Sequence, residues 1–310
     1  MIHPEVFIME ITAFQRKIQE ILPQIVLRLY EPMSKHTSFR IGGNVEVMAF
    51  PKNAEELSLV LKSSALLDRK PVILGAGTNV LAPDEGMEGL VICLKDSLTG
   101  IELLSGDKIR VAAGVTMTKA AVFAANHGLS GLEFAHGIPG TVGGGVYMNA
   151  GAYGGEICQV CESVEVMDME GNIHELSNEE MAFSYRHSRL EDTDGIVLSA
   201  TFVLTPKPQE EIKEQMRMLM AKRSASQPLD LPSAGSAFKR PVGGYAAALI
   251  DQTGLKGFQI GGAAVSSKHA GFVVNMGGAT AADVKTLLSE VSDRVYAASG
   301  IRLEPEVRIW

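Results

Sequence analysis

Two glycine-rich runs are the first residues here whose types and spacing could do chemistry. Gly75-Ala76-Gly77-Thr78-Asn79 follows the short apolar stretch Pro71–Leu74 and leads into Val80 and Leu81. A strand running straight into such a loop exposes consecutive backbone N–H groups able to hold phosphate oxygens, and a Cβ at the glycines would block that approach. The dinucleotide fingerprint asks for a third glycine where Val80 stands, and a triphosphate loop asks for a Gly-Lys-Ser/Thr that the sequence lacks. Alone, this run reads equally well as a plain tight turn. The second run begins Gly137-Ile138-Pro139-Gly140-Thr141-Val142-Gly143-Gly144-Gly145. It continues through Asn149-Ala150-Gly151-Ala152 to Gly155, with eight glycines in nineteen residues. Ile, Val, Tyr and Met lie between the glycines, where a flexible linker would carry Ser, Glu or Lys. The pattern predicts ordered, buried backbone packed against something flat or phosphorylated.

Other chemistry-bearing residues give less. Cys158-Gln-Val-Cys161 has the spacing of a redox or metal motif. The stretch Ile157–Met169 reads as a strand, however, on which positions three apart face opposite ways. With no second Cys pair and no His-rich partner, the two read as packed thiols, and no metal is expected. His36, His127, His136 and His269 lack ligand spacing; His136, directly before the second glycine run, is the one expected nearest a cofactor.

The elements that would position these loops follow from periodicity and caps. Val45–Pro51 alternates like a strand and Asn53–Leu67 reads as a helix, followed by strands at Pro71–Leu74 and near Leu90–Leu94. Ile101–Leu104 and Ile109–Ala113 form a hairpin, and Thr116–Asn126 is a helix stopped by Gly128. Val160–Asp168 pairs with Asn172–Leu176, Ser177 with Glu180 caps a short helix, and Ile196–Leu204 is a strand. Thr205-Pro-Lys-Pro208 is the best linker. Beyond it come helices at Glu210–Arg223 and Tyr245–Gln252, a loop from Gln227 to Gly244, and strands near Phe258–Ile260 and Phe272–Asn275. A long helix capped by Thr280 and Asp283 ends near Gly300, and Glu304–Ile309 closes as a strand. The opening residues 1–22 read as an amphipathic surface helix and not as a signal peptide.

Bulk properties bound the function. With 310 residues, 46% of them hydrophobic, two or three subdomains are expected. The net charge of -8 carries no basic stripe, which argues against nucleic acid. No apolar run reaches about 18 residues, so no membrane span is expected. Three cysteines, an odd number, fit a reducing, cytoplasmic compartment.

Seven separated blocks, in order, carry a resemblance. They are His36-Thr-Ser-Phe-Arg-Ile-Gly-Gly43, Leu74-Gly-Ala-Gly-Thr-Asn-Val-Leu81, Gly137-Ile-Pro-Gly-Thr-Val-Gly-Gly144, Asn149-Ala-Gly-Ala-Tyr-Gly154, Phe183-Ser-Tyr-Arg186, Ala234-Gly-Ser-Ala-Phe-Lys-Arg-Pro241 and Glu304-Pro-Glu-Val-Arg308. Together they resemble the UDP-N-acetylenolpyruvoylglucosamine reductases, flavoproteins related to vanillyl-alcohol oxidase. The resemblance implies an α+β (mixed α/β) protein with a two-part FAD-binding region of the vanillyl-alcohol-oxidase (PCMH) type at 1–205, divided near residue 82. A C-terminal α+β substrate domain at 206–310 would complete it. It implies FAD held by the two glycine loops, NADPH as hydride donor, and reduction of an enolpyruvyl UDP-sugar to UDP-N-acetylmuramate. Ser236 would be the proton donor, Arg186 would bind the substrate carboxylate, and Glu306 would share that site, useful chiefly if protonated or paired. Lys239 and Arg240 would meet the UDP diphosphate, with Arg223 and Asn275 as further contacts. A monomer or weak oligomer is expected.

The chain departs from the family pattern modestly. Thr78 stands where serine is usual and Gly145 where alanine or serine is common, and neither removes a backbone donor. About 50 residues separate Arg186 from Ser236, which implies the subtype lacking a tyrosine-bearing loop over the substrate. Two other readings stand beside this one: a related FAD oxidase of an alcohol or lactone, and a non-catalytic nucleotide-binding module.

Overall fold

A computed structural model describes residues 11–310. The part of the expected opening helix before residue 11 lies outside the described residues. Thr12 and Gln15 form a reciprocal capping box that starts α1 (Ala13–Ile21), which buries Ile18. There follow β1 (Val26–Pro32), β2 (Asn44–Phe50), α2 (Ala54–Leu66), β3 (Val72–Leu74), the two-residue β4 (Val80–Leu81) and β5 (Met87–Cys93). These give a sheet of order β1-β2-β5-β3, parallel except for β1. Central β2 is buried on both faces: Val47 and Ala49 meet the core under α1 and α2, while Val45 and Met48 meet the core on the other side.

The second unit holds β6 (Ile101–Leu103), β7 (Lys108–Ala112), α3 (Met117–Asn126), β8 (Leu129–Ser130), α4 (Val142–Tyr147) and the hairpin β9 (Gly151–Ala152) with β10 (Gly155–Glu156). It continues with β11 (Cys161–Met167), β12 (Ile173–Ser177), α5 (Leu190–Thr193) and β13 (Ile196–Val203). Its antiparallel sheet has the order β12-β11-β13-β7-β6. Ala120, Ala121 and Ala124 of α3 and Val142 and Val146 of α4 pack on one face of it.

The expected linker is not loose. It forms β14 (Thr205–Pro206), paired antiparallel with β8, and the Lys207 N–H donates to the Gly128 carbonyl at 2.8 Å. The next helix, α6 (Gln209–Ser226), places Ile212 and Met216 in the core of the second unit. By its packing, α6 therefore belongs with residues that precede it.

The third unit contains β15 (Ser233–Ser236), α7 (Ala246–Gln252), β16 (Gln259–Ile260), β17 (Ala263–Val265), β18 (Phe272–Asn275), α8 (Ala281–Ser299) and β19 (Arg308–Ile309). Its sheet has the order β15-β18-β17-β16. α8 starts at the expected Thr280–Asp283 capping box and ends at Gly300 with φ +73, a conformation glycine adopts without a Cβ clash. Val284, Leu287, Leu288, Val291 and Val295 form its buried stripe. Phe39, Ile41 and Leu81 join that same core, so the first and third units share buried surface.

Three local readings change. Ile157–Gln159 is a single 3-10 turn and the strand starts only at Cys161, so Cys158 is not on it. Ser177 and Glu180 do exchange capping hydrogen bonds, 2.8 and 3.2 Å, but the expected short helix does not form: residues 178–182 make a single turn, and Ala182 enters the left-handed region at φ +46. The loop 227–244 contains β15, whose Ser-Ala-Gly-Ser composition gives no apolar alternation to recognise. Among the described residues, no helix is long and apolar enough to cross a membrane.

The chain end is tied back across the molecule. Arg308 grips Glu191 of α5 with two bonds of 2.6 and 2.5 Å, which hold the Glu191 carboxyl below its usual range. A lowered carboxylate pKa stabilises the fold above the ordinary value, and that contribution disappears as pH falls through the folded value. Glu191→Gln should therefore lower the thermal midpoint by about 2 °C at pH 7, after discounting for partial exposure, with the deficit closing toward pH 3. A deficit that persists undiminished at pH 3 would contradict this.

Candidate active site

The two glycine runs meet and form one wall. Thr78 Oγ1 donates to the Pro139 carbonyl at 3.1 Å, and a Cβ on Gly75 would sit 2.8 Å from Thr141 Oγ1. Gly77 has φ +63, and a Cβ there would lie 2.0 Å from the His36 carbonyl oxygen, so only glycine fits this turn. Among the described residues, the N–H groups of Ala76, Gly77, Thr78 and Asn79 find no backbone or side-chain acceptor, although Gly77 is buried. Four consecutive backbone N–H donors left free in one tight turn fit a diphosphate.

The second run divides its labour. Val142 and Gly143 already donate to the Val115 and Ala113 carbonyls at 2.8 and 2.9 Å. A Cβ on Gly143 would meet Ala113 Cβ at 2.9 Å, and one on Gly145 would meet Met117 Sδ at 2.8 Å. These glycines let α4 pack closely on β7 and α3, so Gly143 does not offer its N–H to a ligand as expected. Gly144 faces outward, with only a long 3.4 Å bond to Thr141 Oγ1. Leu81 is likewise core, not cofactor surface.

Asn149 is also corrected. It is 1% exposed, and its amide bonds Glu156, the Ser184 carbonyl and the Cys158 N–H, all at 3.0 Å. That spends the side chain on holding a turn. The turn matters, because Ser184 and His187 bond each other's backbone and leave Tyr185 and Arg186 at the tip of a two-residue hairpin. Arg186 sits there at φ +58, a conformation a side-chain-bearing residue adopts only when its surroundings impose it.

Arg186 reaches into the third unit. Its Nε donates to Glu306 Oε1 at 2.6 Å, and Nη2 makes a longer 3.4 Å bond to the Gly151 carbonyl. The Glu306 side chain is 11% exposed, and burial pushes its carboxyl up from the usual range while Arg186 pulls it down less strongly. Paired and raised, it meets the condition set for it. The surface ion pair conceivable within Glu304–Arg308 does not form: Glu304 pairs with Lys239 at 3.5 Å and Arg308 with Glu191.

Ser236 stands beside this pair. It ends β15, and the Glu306 N–H donates to the carbonyl of the adjacent Ala237 at 2.9 Å. Asn79 Nδ2 donates to the Glu306 carbonyl at 3.3 Å, so the end of the first glycine loop touches the same strand. Among the described residues the Ser236 hydroxyl makes no hydrogen bond, and the side chain is exposed. Residues from three units thus converge: Asn79, Arg186, Ser236 and Glu306.

The remaining candidates scatter. Lys239 and Arg240 follow Ser236 on the lip of the site, and the Arg240 guanidinium lies 4.0 Å from the Tyr245 ring centre. Tyr185, which sequence reasoning missed, accepts the Arg240 N–H at 3.1 Å and lies under Arg186 at 5.2 Å. Its only signal was adjacency to Arg186. Asn275 is not a ligand contact but a brace: buried, it donates to the Phe39 carbonyl and accepts from Gly277 and Ala279. Burial raises the thiols, Cys161 to about 12, so neither member of the Cys158–Cys161 pair is primed as a nucleophile. No metal-holding cluster occurs among the described residues.

Comparison with known proteins fits this geometry. Residues 45–177 match a family model described as FAD binding domain. With the diphosphate-shaped wall, they define an α+β flavin-dinucleotide protein with an appended C-terminal domain. Residues 227–310 match the model for the C-terminal domain of UDP-N-acetylenolpyruvoylglucosamine reductase. The reductase of that name from Agathobacter rectalis is 45% identical over 308 residues, covering 96% of this chain and 98% of the relative. That from Caldanaerobacter subterraneus subsp. tengcongensis is 47% identical over 296 residues, covering 94% and 96%. The crystal structure of the Thermus caldophilus reductase superposes with a TM-score of 0.75 at 35% identity, over 93% of this chain and 99% of that one. The chain belongs to the UDP-N-acetylenolpyruvoylglucosamine reductase family.

Proposed function

We propose that this chain uses NADPH and FAD to reduce UDP-N-acetylenolpyruvoylglucosamine to UDP-N-acetylmuramate, a peptidoglycan precursor. The observation that carries the reading is the partly buried Arg186–Glu306 pair beside Ser236, at the end of the glycine-loop wall. Gly75–Asn79 and Ile138–Thr141 would hold FAD, with Ala150–Ala152 lining the approach, and the bound flavin would supply the hydride that NADPH provides.

The chain's own residues do the rest. Hydride addition to the terminal vinyl carbon leaves negative charge on its neighbour, spread into the attached carboxylate. Arg186, already fixed at Nε by Glu306, turns its remaining N–H groups to that carboxylate and stabilises the growing charge. Glu306, its carboxyl raised by burial and pulled back by Arg186, orients the guanidinium through the Nε bond, and its pairing with Arg186 limits its repulsion of the anion. Ser236 then delivers its proton to the neighbouring carbon, a step a hydroxyl performs only when held in line. Lys239 and Arg240 on the lip bind the diphosphate of the UDP moiety. The third unit, from about residue 227, is the substrate-binding domain. The enzyme acts in the cytoplasm as a monomer or weak oligomer, with neither nucleic acid nor membrane as partner.

The deciding experiment is anaerobic. NADPH should bleach the flavin, and UDP-N-acetylenolpyruvoylglucosamine should restore its absorbance with formation of the muramate. Oxygen-dependent oxidation of a sugar without NADPH would replace this reading with an oxidase. The loop wall has its own test. Gly77→Ala must open the His36 turn by an ångström or more, so the purified variant should retain less than about a tenth of the parent's flavin. Full flavin occupancy would show that the wall is not the cofactor site.

A further inference from the structure

Arg223 is a buried cation without a partner. It is 9% exposed, and among the described residues its guanidinium has no carboxylate and no hydrogen-bond acceptor. It occupies the inner stripe of α6, in line with Ile212 and Met216, where an apolar residue would be ordinary. The C-terminal end of that helix favours a positive charge by a modest amount, too little to offset burial. Burial accordingly pushes the guanidinium below its usual pKa, with Tyr153 as the only countering group.

Two further polar atoms beside it are also unsatisfied. His136 Nδ1 and Gln227 Oε1 are buried with no hydrogen-bond partner. His136 is the neighbour of Gly137, whose Cβ would lie 2.9 Å from Arg223 Cδ, and Gln227 donates its N–H to the Arg223 carbonyl at 2.8 Å. Burial lowers the His136 pKa, so the imidazole is neutral and does not compete as a cation. The three groups therefore share one neighbourhood.

That neighbourhood opens into a groove of 380 Å³ between the units, lined by Arg223, Pro139, Ser38, Ser233 and Gly235 among others. Pro139 belongs to the glycine-loop wall, and Gly235 precedes Ser236. Arg40 also lines the groove, at φ +57, and Asp230 stands exposed at its edge, paired with neither arginine. A groove that meets the glycine-loop wall at Pro139 and reaches Gly235 beside Ser236, with the unpaired guanidinium of Arg223 open to it, suits a permanent anion. A substrate that comes and goes would leave the charge uncompensated for much of each cycle, which a resident cofactor does not.

We propose that Arg223, backed by Gln227 and His136, is the internal counter-cation of the resident FAD and not a contact for the UDP-sugar. This rests on the flavoenzyme reading above. The anionic partner is the cofactor's diphosphate, whose charge is permanent, and not the charge its ring carries only after reduction; the two separate experimentally. In the purified holoenzyme, Arg223→Met should release flavin about 10- to 100-fold faster, the worth of a lost charge-assisted bond. Equal acceleration from the oxidised and reduced forms is expected for the diphosphate. Selective loss of the reduced form would overturn that assignment in favour of the ring, and each tenfold preference would then lower the two-electron midpoint potential by about 30 mV. Methionine suits the apolar stripe of α6, so the flavin-free variant should be at least as thermally stable as flavin-free parent, whereas a merely structural arginine would leave it less stable. Arg223→Lys, which keeps the charge, should recover most of the retention. Unchanged flavin release and potential, with the loss confined to the KM of NADPH or the UDP-sugar, would overturn the proposal. A parent protein that purifies without flavin would instead sink the functional reading, before any variant is made.

Discussion

Replacing Ser236 by alanine should leave NADPH reduction of the flavin at the parent rate and slow its reoxidation by the enolpyruvyl substrate about 10²- to 10⁴-fold, the usual worth of a positioned proton donor. The split follows from where the hydroxyl stands. Ser236 ends β15, its Oγ engaged with no protein group among the described residues, while the next residue is pinned by the Ala237 N–H to the Gly271 carbonyl at 2.8 Å. The backbone is therefore held and the proton is free to be given away. Among the described residues the Ser236 side chain makes no bond to the diphosphate wall, which β15 meets through Ser233 and Ser38 instead, so flavin content and bleaching by NADPH should survive. Stopped-flow absorbance at about 450 nm, where oxidised flavin absorbs, separates the two halves. Ser236→Cys, which restores a transferable proton at the same position, should recover part of the second half. An alanine variant that reoxidises as fast as the parent would remove Ser236 from the chemistry.

How much of this was legible in the sequence depends on what kind of signal each part leaves. Local chemistry was readable: the Thr280–Asp283 capping box, Gly300 as the stop of α8 and the hairpin around Ser105–Asp107 are dictated within a few residues. The block order also singled out Arg186, Ser236 and Glu306 as candidates, which the structure brings near one another from two units. What could not be read were preferences settled by distant partners. β15 is Ser-Ala-Gly-Ser and becomes a strand because β18 lies beside it. Glycine in a run cannot say which neighbour its missing Cβ makes room for: the His36 turn at Gly77, Thr141 at Gly75, or Ala113 at Gly143. Asn149 looks like a ligand contact because it is polar and lies in a glycine-rich block, and Asn275 because the resemblance implies a contact there. Both are buried and spend their amides on backbone. The reverse error hid Tyr185, an aromatic beside the proposed catalytic arginine, whose hydroxyl accepts the Arg240 N–H.

The second large effect is expected at Arg186, and it should show in stability as well as in rate. Arg186→Met removes the group that stabilises the developing charge, so kcat should fall about 10²- to 10³-fold, and the KM for the UDP-sugar should rise as its carboxylate loses an anchor. Arg186→Lys should recover little, because a point charge cannot hold Glu306 through one edge and present a second edge to substrate. The same substitution exposes Glu306. Its carboxyl is raised by burial even with Arg186 pulling it down from 2.6 Å, so without Arg186 it should rise further. For a raised carboxyl the sign is definite. The fold is favoured while the group is protonated, and that advantage is lost as pH climbs through the folded value. The variant should therefore match the parent's thermal midpoint most closely near pH 5 and fall progressively behind it toward pH 8. Adding Glu306→Gln to Arg186→Met should abolish that pH dependence without restoring turnover, since a neutral amide carries no charge to bury. If the single variant shows the parent's pH profile, the two residues are not coupled, and the ion pair cannot be what holds the guanidinium for the substrate.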